Sequence, residues 1–235
     1  MKYSMDSKEL TLSIGDCFDK ELGDYVGEMP EFTLDMFLND GIFKDFPVFS
    51  GISTVYRVGK GFSEFAHYKK LIAFINAINA GIVDEQKRSD YAYKIKTNEQ
   101  FRTREMEYIQ VLIDRYIGLE KPQMLAKLYL AYLDEKILWI EFTTYAEVVD
   151  RFLPMDYKML LNEKVTTIRN IGSEPLLRLM ALGLVAERYY NNPFVEHANG
   201  GFGITADSMS KMSQHEKVYQ RTEFGDKLVD ILGEM

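Results

Sequence analysis

The chain has 235 residues, 46% hydrophobic and 13% aromatic, enough to bury one sizeable core or two small ones, which excludes disorder of the whole. Its formal net charge is −8, concentrated in residues 1–40, where three Lys stand against ten Asp and Glu; that acidity argues against non-specific nucleic-acid binding. A lone cysteine, Cys17, excludes a disulfide framework and a cysteine zinc site, and suits a reducing cytoplasm.

Residues 1–40 read as an acidic N-terminal segment, loosely attached or strand-like up to about residue 22. Leu34, Phe37 and Leu38 form a short amphipathic turn pair ended by Asn39-Asp40-Gly41. No continuous apolar region opens the chain, so the expected location is cytoplasmic, peripheral to the inner face of the membrane if lipid is touched. Cys17 reads as a small apolar contact, since no general base stands near it in sequence.

A helical region is expected over 41–118. In Phe46–Val83, Val48, Ile52, Val55, Phe62 and Ala66 follow helical spacing, with Ser53, Arg57, Lys60 and Glu64 opposite. Leu71, Phe74, Ile75, Ile78 and Ile82 make a second stripe, led by Lys69 and Lys70 and closed by Gly81 as a left-handed cap. Neither uncharged run reaches the roughly 20 residues a membrane span needs. The stretch is therefore either core or a surface for a protein or membrane. In the second case Val48, Ile52, Val55 and Phe62 make the contact, and Lys60, Lys69 and Lys70 attract anionic headgroups.

After Gly81, DEQKRSDYAYKIKTNEQ reads as a solvated loop rather than the start of the next helix. A helix then runs to about Tyr116, with Met106, Ile109, Leu112, Ile113 and Tyr116 inward and Arg102, Arg104, Glu105 and Glu107 mainly toward water. Gly118 and Pro122 separate it from a stripe at Leu125, Leu128, Tyr129, Tyr132 and Leu133. A second stripe, Leu138 to Phe152, follows after Asp134-Glu135-Lys136, so the pair forms an αα-hairpin. Trp139 beside it reads as a packing anchor.

Residues 119–235 are expected to hold this hairpin and a region of different rhythm. Ser173 caps a helix with Leu176, Leu177, Leu179 and Met180 on its apolar face, stopped by Gly183. LVAERYY and KVYQR read as strands around a long loop, and Thr222 caps a last helix with Phe224, Leu228, Ile231 and Leu232. The fold class is thus mainly α, a helical bundle with a small C-terminal β-hairpin.

LLRLMALGLVAERYY and VYQRTEFGDKLVDIL resemble the closing segment of winged-helix domains in bacterial regulators, over about a quarter of the chain. The resemblance implies a winged-helix-like element and, if it meets DNA, contacts from Lys158, Lys164, Arg169, Lys211, Lys217 and Arg221. Asp156 and Glu163 dilute those charges. Residues 20–162, through TLDMFLNDGIFKDFPVFSGI, HYKKLIAFINAI and YIQVLIDRYIGLEKPQMLAKLYLAYLDEKI, are similar to a family of uncharacterised bacterial and phage-borne helical proteins of unknown function. That similarity implies no catalytic residues and a setting in phage–host conflict. Its pattern has a polar cap where this chain has Leu138.

No catalytic constellation emerges. His67, His197 and His215 lack metal-ligand spacing. Arg169 begins like the RxxxxH signature of helical ribonucleases, but Glu174 occupies the histidine position. Gly59-Lys60-Gly61 and the glycines at 200, 201 and 203 lack the context of phosphate loops, and the acidic pairs Asp84-Glu85 and Asp134-Glu135 read as helix-end partners. The expectation is a non-enzymatic interaction or effector module without cofactor or metal, whose partner is a protein before a membrane and a membrane before nucleic acid, with self-association open. The alternative is a winged-helix DNA-binding regulator.

Overall fold

A computed structural model of the chain describes residues 62–81, 84–162, 173–190 and 216–233. These are mainly helical, with an antiparallel pair of strands, and the chain divides into two units between Arg151 and Phe152.

In the first unit α1 (Phe62–Gly81) buries Leu71, Phe74, Ile75 and Ile78 and packs mainly on α5 (Glu120–Leu133). Each side chain so buried stabilises by about 2 kcal/mol. Gly81 is the last helical residue rather than a left-handed cap; a Cβ there would run into the Leu130 side chain, so the glycine permits close approach to α5.

The charged segment expected as loop is a helix, α2 (Glu85–Thr97). Asp84 accepts hydrogen bonds from the N–H groups of Gln86 and Lys87, and Tyr91, Ala92 and Ile95 form a narrow buried face. Asn98 ends α2 and caps α3 (Glu99–Arg102), its side chain accepting from Phe101 N–H at 2.9 Å. A π-helical turn, Thr103–Glu107, joins α3 to α4 (Tyr108–Arg115).

The hairpin is present as α5 and α6 (Trp139–Arg151), which pack together. Without a polar residue at 138, the start of α6 is closed from inside: Leu138 N–H donates to Glu141 at 2.8 Å, one half of a capping box. At the C-terminal end of α5, Glu135 adopts φ 60°. Lys136 N–H donates to the Ala131 carbonyl and Glu135 N–H to that of Tyr132, the bonds of a Schellman motif.

Helix C-termini leave carbonyls without intrahelical partners, and cations from other elements supply them. Lys70 Nζ donates to the carbonyls of Asp114 and Tyr116, both at 2.8 Å. Arg102 donates to Ile95 O at 2.9 Å, Lys121 to Asp150 O at 2.7 Å, and Arg221 to Leu160 O at 3.1 Å. Each favours the negative end of the helix it meets.

The second unit contains α7 (Pro154–Asn162), α8 (Glu174–Ala181), β1 (Val185–Tyr190), β2 (Glu216–Arg221) and α9 (Glu223–Leu232). The strands pair antiparallel from Val185↔Arg221 to Tyr190↔Glu216. Ser173 occupies the N-cap position of α8, but its hydroxyl makes no capping bond; Leu176 and Leu179 are buried while Leu177 is exposed. Gly183, at φ 73°, closes α8 with a second Schellman motif: Gly183 N–H donates to Met180 O and Leu184 N–H to Leu179 O.

The Thr222-Glu223-Phe224-Gly225 sequence has a physical basis. Thr222 Oγ1 accepts from Gly225 N–H at 3.0 Å and donates to Gly183 O at 2.6 Å. A Cβ on Gly225 would strike the Leu184 carbonyl, so only glycine lets α9 start against the turn before β1. Tyr157 closes the unit by donating to Gly233 O at 2.8 Å.

Candidate docking groove and the carboxylate behind it

Between α2 and the C-terminal end of α5 lies an open groove of about 330 Å³. Tyr91, Phe101, Leu130, Tyr132 and Leu133 supply apolar surface; Asp84, Asp90, Asp134, Glu135, Lys87 and Lys94 complete the lining. The Lys94 ammonium sits 4.1 Å from the Phe101 ring centroid, and Lys87 pairs with Asp134 at 3.6 Å. No ion pair of Asp90 or Glu135 occurs among the described residues.

The groove wall rests on a buried carboxylate. Glu105, expected toward water, is 0% exposed. Its Oε1 accepts from Tyr132 at 2.8 Å and Arg104 at 2.7 Å, and its Oε2 from Tyr129 at 2.8 Å and Tyr91 at 3.5 Å. Burial raises its pKa, against the lowering effect of the hydrogen bonds from Arg104 and Tyr132. Burial, then the hydrogen bond to Glu105, pushes Tyr132 up to about 12; burial pushes Tyr129 well above its usual value.

Tyr91 and Tyr132 thus both line the groove, and Tyr132 rests its hydroxyl on Glu105 while that of Tyr91 stands 3.5 Å away. Tyr132 also meets Trp139 and Tyr129, with ring centroids at 5.3 and 5.8 Å, and Arg104 lies over Trp139 at 5.3 Å. With both oxygens occupied and no exposure, Glu105 is placed to hold the wall rather than to touch a ligand. π turns gather at functional sites, and this one carries that residue. A signal was available: Glu105 stands four residues after Phe101 and four before Ile109, on one helical face with two buried residues.

Of the residues expected to meet a partner or membrane, Val48, Ile52, Val55 and Lys60 lie outside the described residues. Phe62 opens α1, and Lys69 is exposed on it. Lys70 is not on a surface: it is 7% exposed and tied to the end of α4. Arg102, expected toward water, is likewise buried against the end of α2, whereas Arg104 and Glu107 are exposed.

Among the expected DNA contacts, Lys164, Arg169 and Lys211 lie outside the described residues, and Lys217 is placed only as part of β2. Lys158 is exposed on α7. Arg221 already pairs with Asp226 at 2.7 Å while donating to Leu160 O, which leaves its guanidinium little freedom for phosphate. His67 Nδ1 lies 3.3 Å from Asp114; burial lowers its pKa, with Asp114 opposing. Cys17, His197 and His215 lie outside the described residues.

Among the described residues no group of three or more His, Cys, Asp or Glu is arranged to hold a metal ion, and no helix is long and apolar enough to cross a membrane. No family model matches the chain, and neither a curated protein nor a solved structure matches it.

Proposed function

We propose that the protein is a non-enzymatic interaction module whose first unit docks a polypeptide segment of a partner. The groove between α2 and α5 carries this reading: it combines apolar surface with a charged rim, and its wall is held by the Glu105 hydrogen bonds. A preorganised wall reduces the ordering cost of binding. The resemblance of residues 20–162 to phage-borne proteins adds a setting, phage–host conflict, which the groove neither requires nor opposes. Docking at Phe46–Val83 on a protein or an anionic membrane remains a separate proposal, with Lys69 as an exposed cation but without Lys70.

The test is selection of peptides from a random display library on the full chain, followed by affinity measurement on two variants. Leu133→Arg puts a charge into the groove lining and is expected to weaken selected peptides at least tenfold, about 1.4 kcal/mol. Leu177→Arg, on an exposed position of α8, is expected to leave them unchanged. Peptides that bind Leu133→Arg as well as the native chain, or a library with no enriched sequence, would sink the proposal.

A second reading is supported by the order helix, strand, strand, helix in the second unit: a winged-helix-like DNA-binding element. It requires salt-dependent duplex affinity weakened by Lys158→Glu. No duplex binding at low salt would end it.

A further inference from the structure

Resting on the docking proposal, the charge of the groove points to its occupant: we infer that it takes a short basic segment of a partner protein, an apolar side chain seated between Tyr91, Phe101 and Leu133 with Lys or Arg on either side. The lining carries four carboxylates against two ammonium groups. Both ammoniums are engaged, Lys94 with the Phe101 ring and Lys87 with Asp134, while no ion pair of Asp90 or Glu135 occurs among the described residues. A cation in the groove therefore meets carboxylates it does not have to take from another cation, and an anion meets repulsion. Sequence charge disfavours one internal occupant too: residues 1–40, with three Lys against ten Asp and Glu, share the sign of the rim.

The aromatic surface fits the same occupant. Tyr132 offers aromatic surface to an alkyl chain or a guanidinium, the largely buried Tyr91 and Phe101 adding only small exposed areas, and Lys94 over Phe101 shows one of these rings already receiving a cation. The Tyr132 hydroxyl, committed to Glu105 at 2.8 Å, fixes the orientation of that ring, so it need not be ordered when a ligand arrives.

Three fluorescent peptides sharing one apolar anchor, flanked by Lys and Arg, by Gln, or by Asp and Glu, would be titrated into the full chain at low and high salt. The basic peptide is expected to bind tightest and to weaken with salt. The double variant Asp90→Asn, Glu135→Gln, altering two exposed side chains, is expected to weaken it about tenfold while leaving the Gln peptide unchanged. Gln or acidic peptides that bind as tightly as the basic one, or a basic peptide indifferent to the double variant, would overturn the inference and leave the docking proposal standing. If none of the three binds and the display library also yields nothing, the docking proposal falls and takes this inference with it.

Discussion

In the first unit α5 ends on Glu135 at φ 60°, and in the second α8 ends on Gly183 at φ 73°; both turns close with the same two backbone hydrogen bonds. Among the described residues each unit also buries one carboxylate completely, Glu105 in the first and Asp156 in the second. Asp156 meets its counter-charge squarely: Arg178 donates to both its oxygens at 2.8 Å, and Leu153 N–H donates to it at 3.4 Å. Glu105 instead accepts from neutral tyrosine hydroxyls and one half-exposed arginine. The second unit thus meets both demands with the residues local geometry favours. Among its described residues the first departs from them twice, at Glu135 in the groove lining and at Glu105 behind the groove wall.

Glu105→Ala breaks the comparison most severely. It leaves the hydroxyl of fully buried Tyr129 without its 2.8 Å acceptor and removes the bond that holds Tyr132. The expected loss is about 3 kcal/mol in urea unfolding. The chain's single tryptophan, Trp139, whose ring lies 5.3 Å from Tyr132, reports it by fluorescence. Glu105→Gln isolates the charge. Because the folded pKa of Glu105 is raised above 4.5, its contribution to stability is full below that value and is lost as pH rises through the folded pKa. The stability difference, native minus Glu105→Gln, must therefore fall as pH rises from 4.5; a flat or rising difference contradicts the assignment.

Two helical glycines sharpen the contrast at the next level. Gly225→Ala drives a methyl into the backbone carbonyl of Leu184 and should cost about 2–3 kcal/mol, seen as faster amide exchange in α9. Gly81→Ala meets only the flexible end of Leu130, and its gain in helix propensity of about 1 kcal/mol should leave stability nearly unchanged. The smallest effects come from the two Schellman turns. Glu135→Gly should stabilise the first unit by about 1 kcal/mol, and Gly183→Ala should destabilise the second by about the same. Equal signs would show that backbone conformation does not govern these positions.

The sequence announces features that depend on local periodicity and punctuation. The hairpin is legible in the stripes from Leu125 to Leu133 and from Leu138 to Phe152, and the strands in VAERYY, which follows Gly183, and KVYQR, which leads into the Thr222 cap. The helix α2 is not, because among the described side chains from Asp84 to Asn98 only Tyr91, Ala92 and Ile95 turn inward, too narrow a face to stand out from the charges. Glu105 and Lys70 are misplaced for a different reason. A charge is assigned to water by default, and its partners here lie 24 to 46 residues away for Glu105 with Tyr129 and Lys70 with Tyr116. The groove shares that difficulty: Tyr91 and Tyr132 come together only through tertiary packing.

The cations seated on the helix carbonyls have a consequence for how the protein comes apart. A helix end ordinarily frays alone, opening a turn at little cost. Lys70 joins the end of α4 to α1, Arg102 that of α2 to α3, Lys121 that of α6 to α5, and Arg221 that of α7 to β2. Unwinding any of these ends means withdrawing a charged group rooted in a different element. Local breathing is thereby coupled to disruption of neighbouring structure, and amide protons in those last turns should exchange through larger cooperative openings.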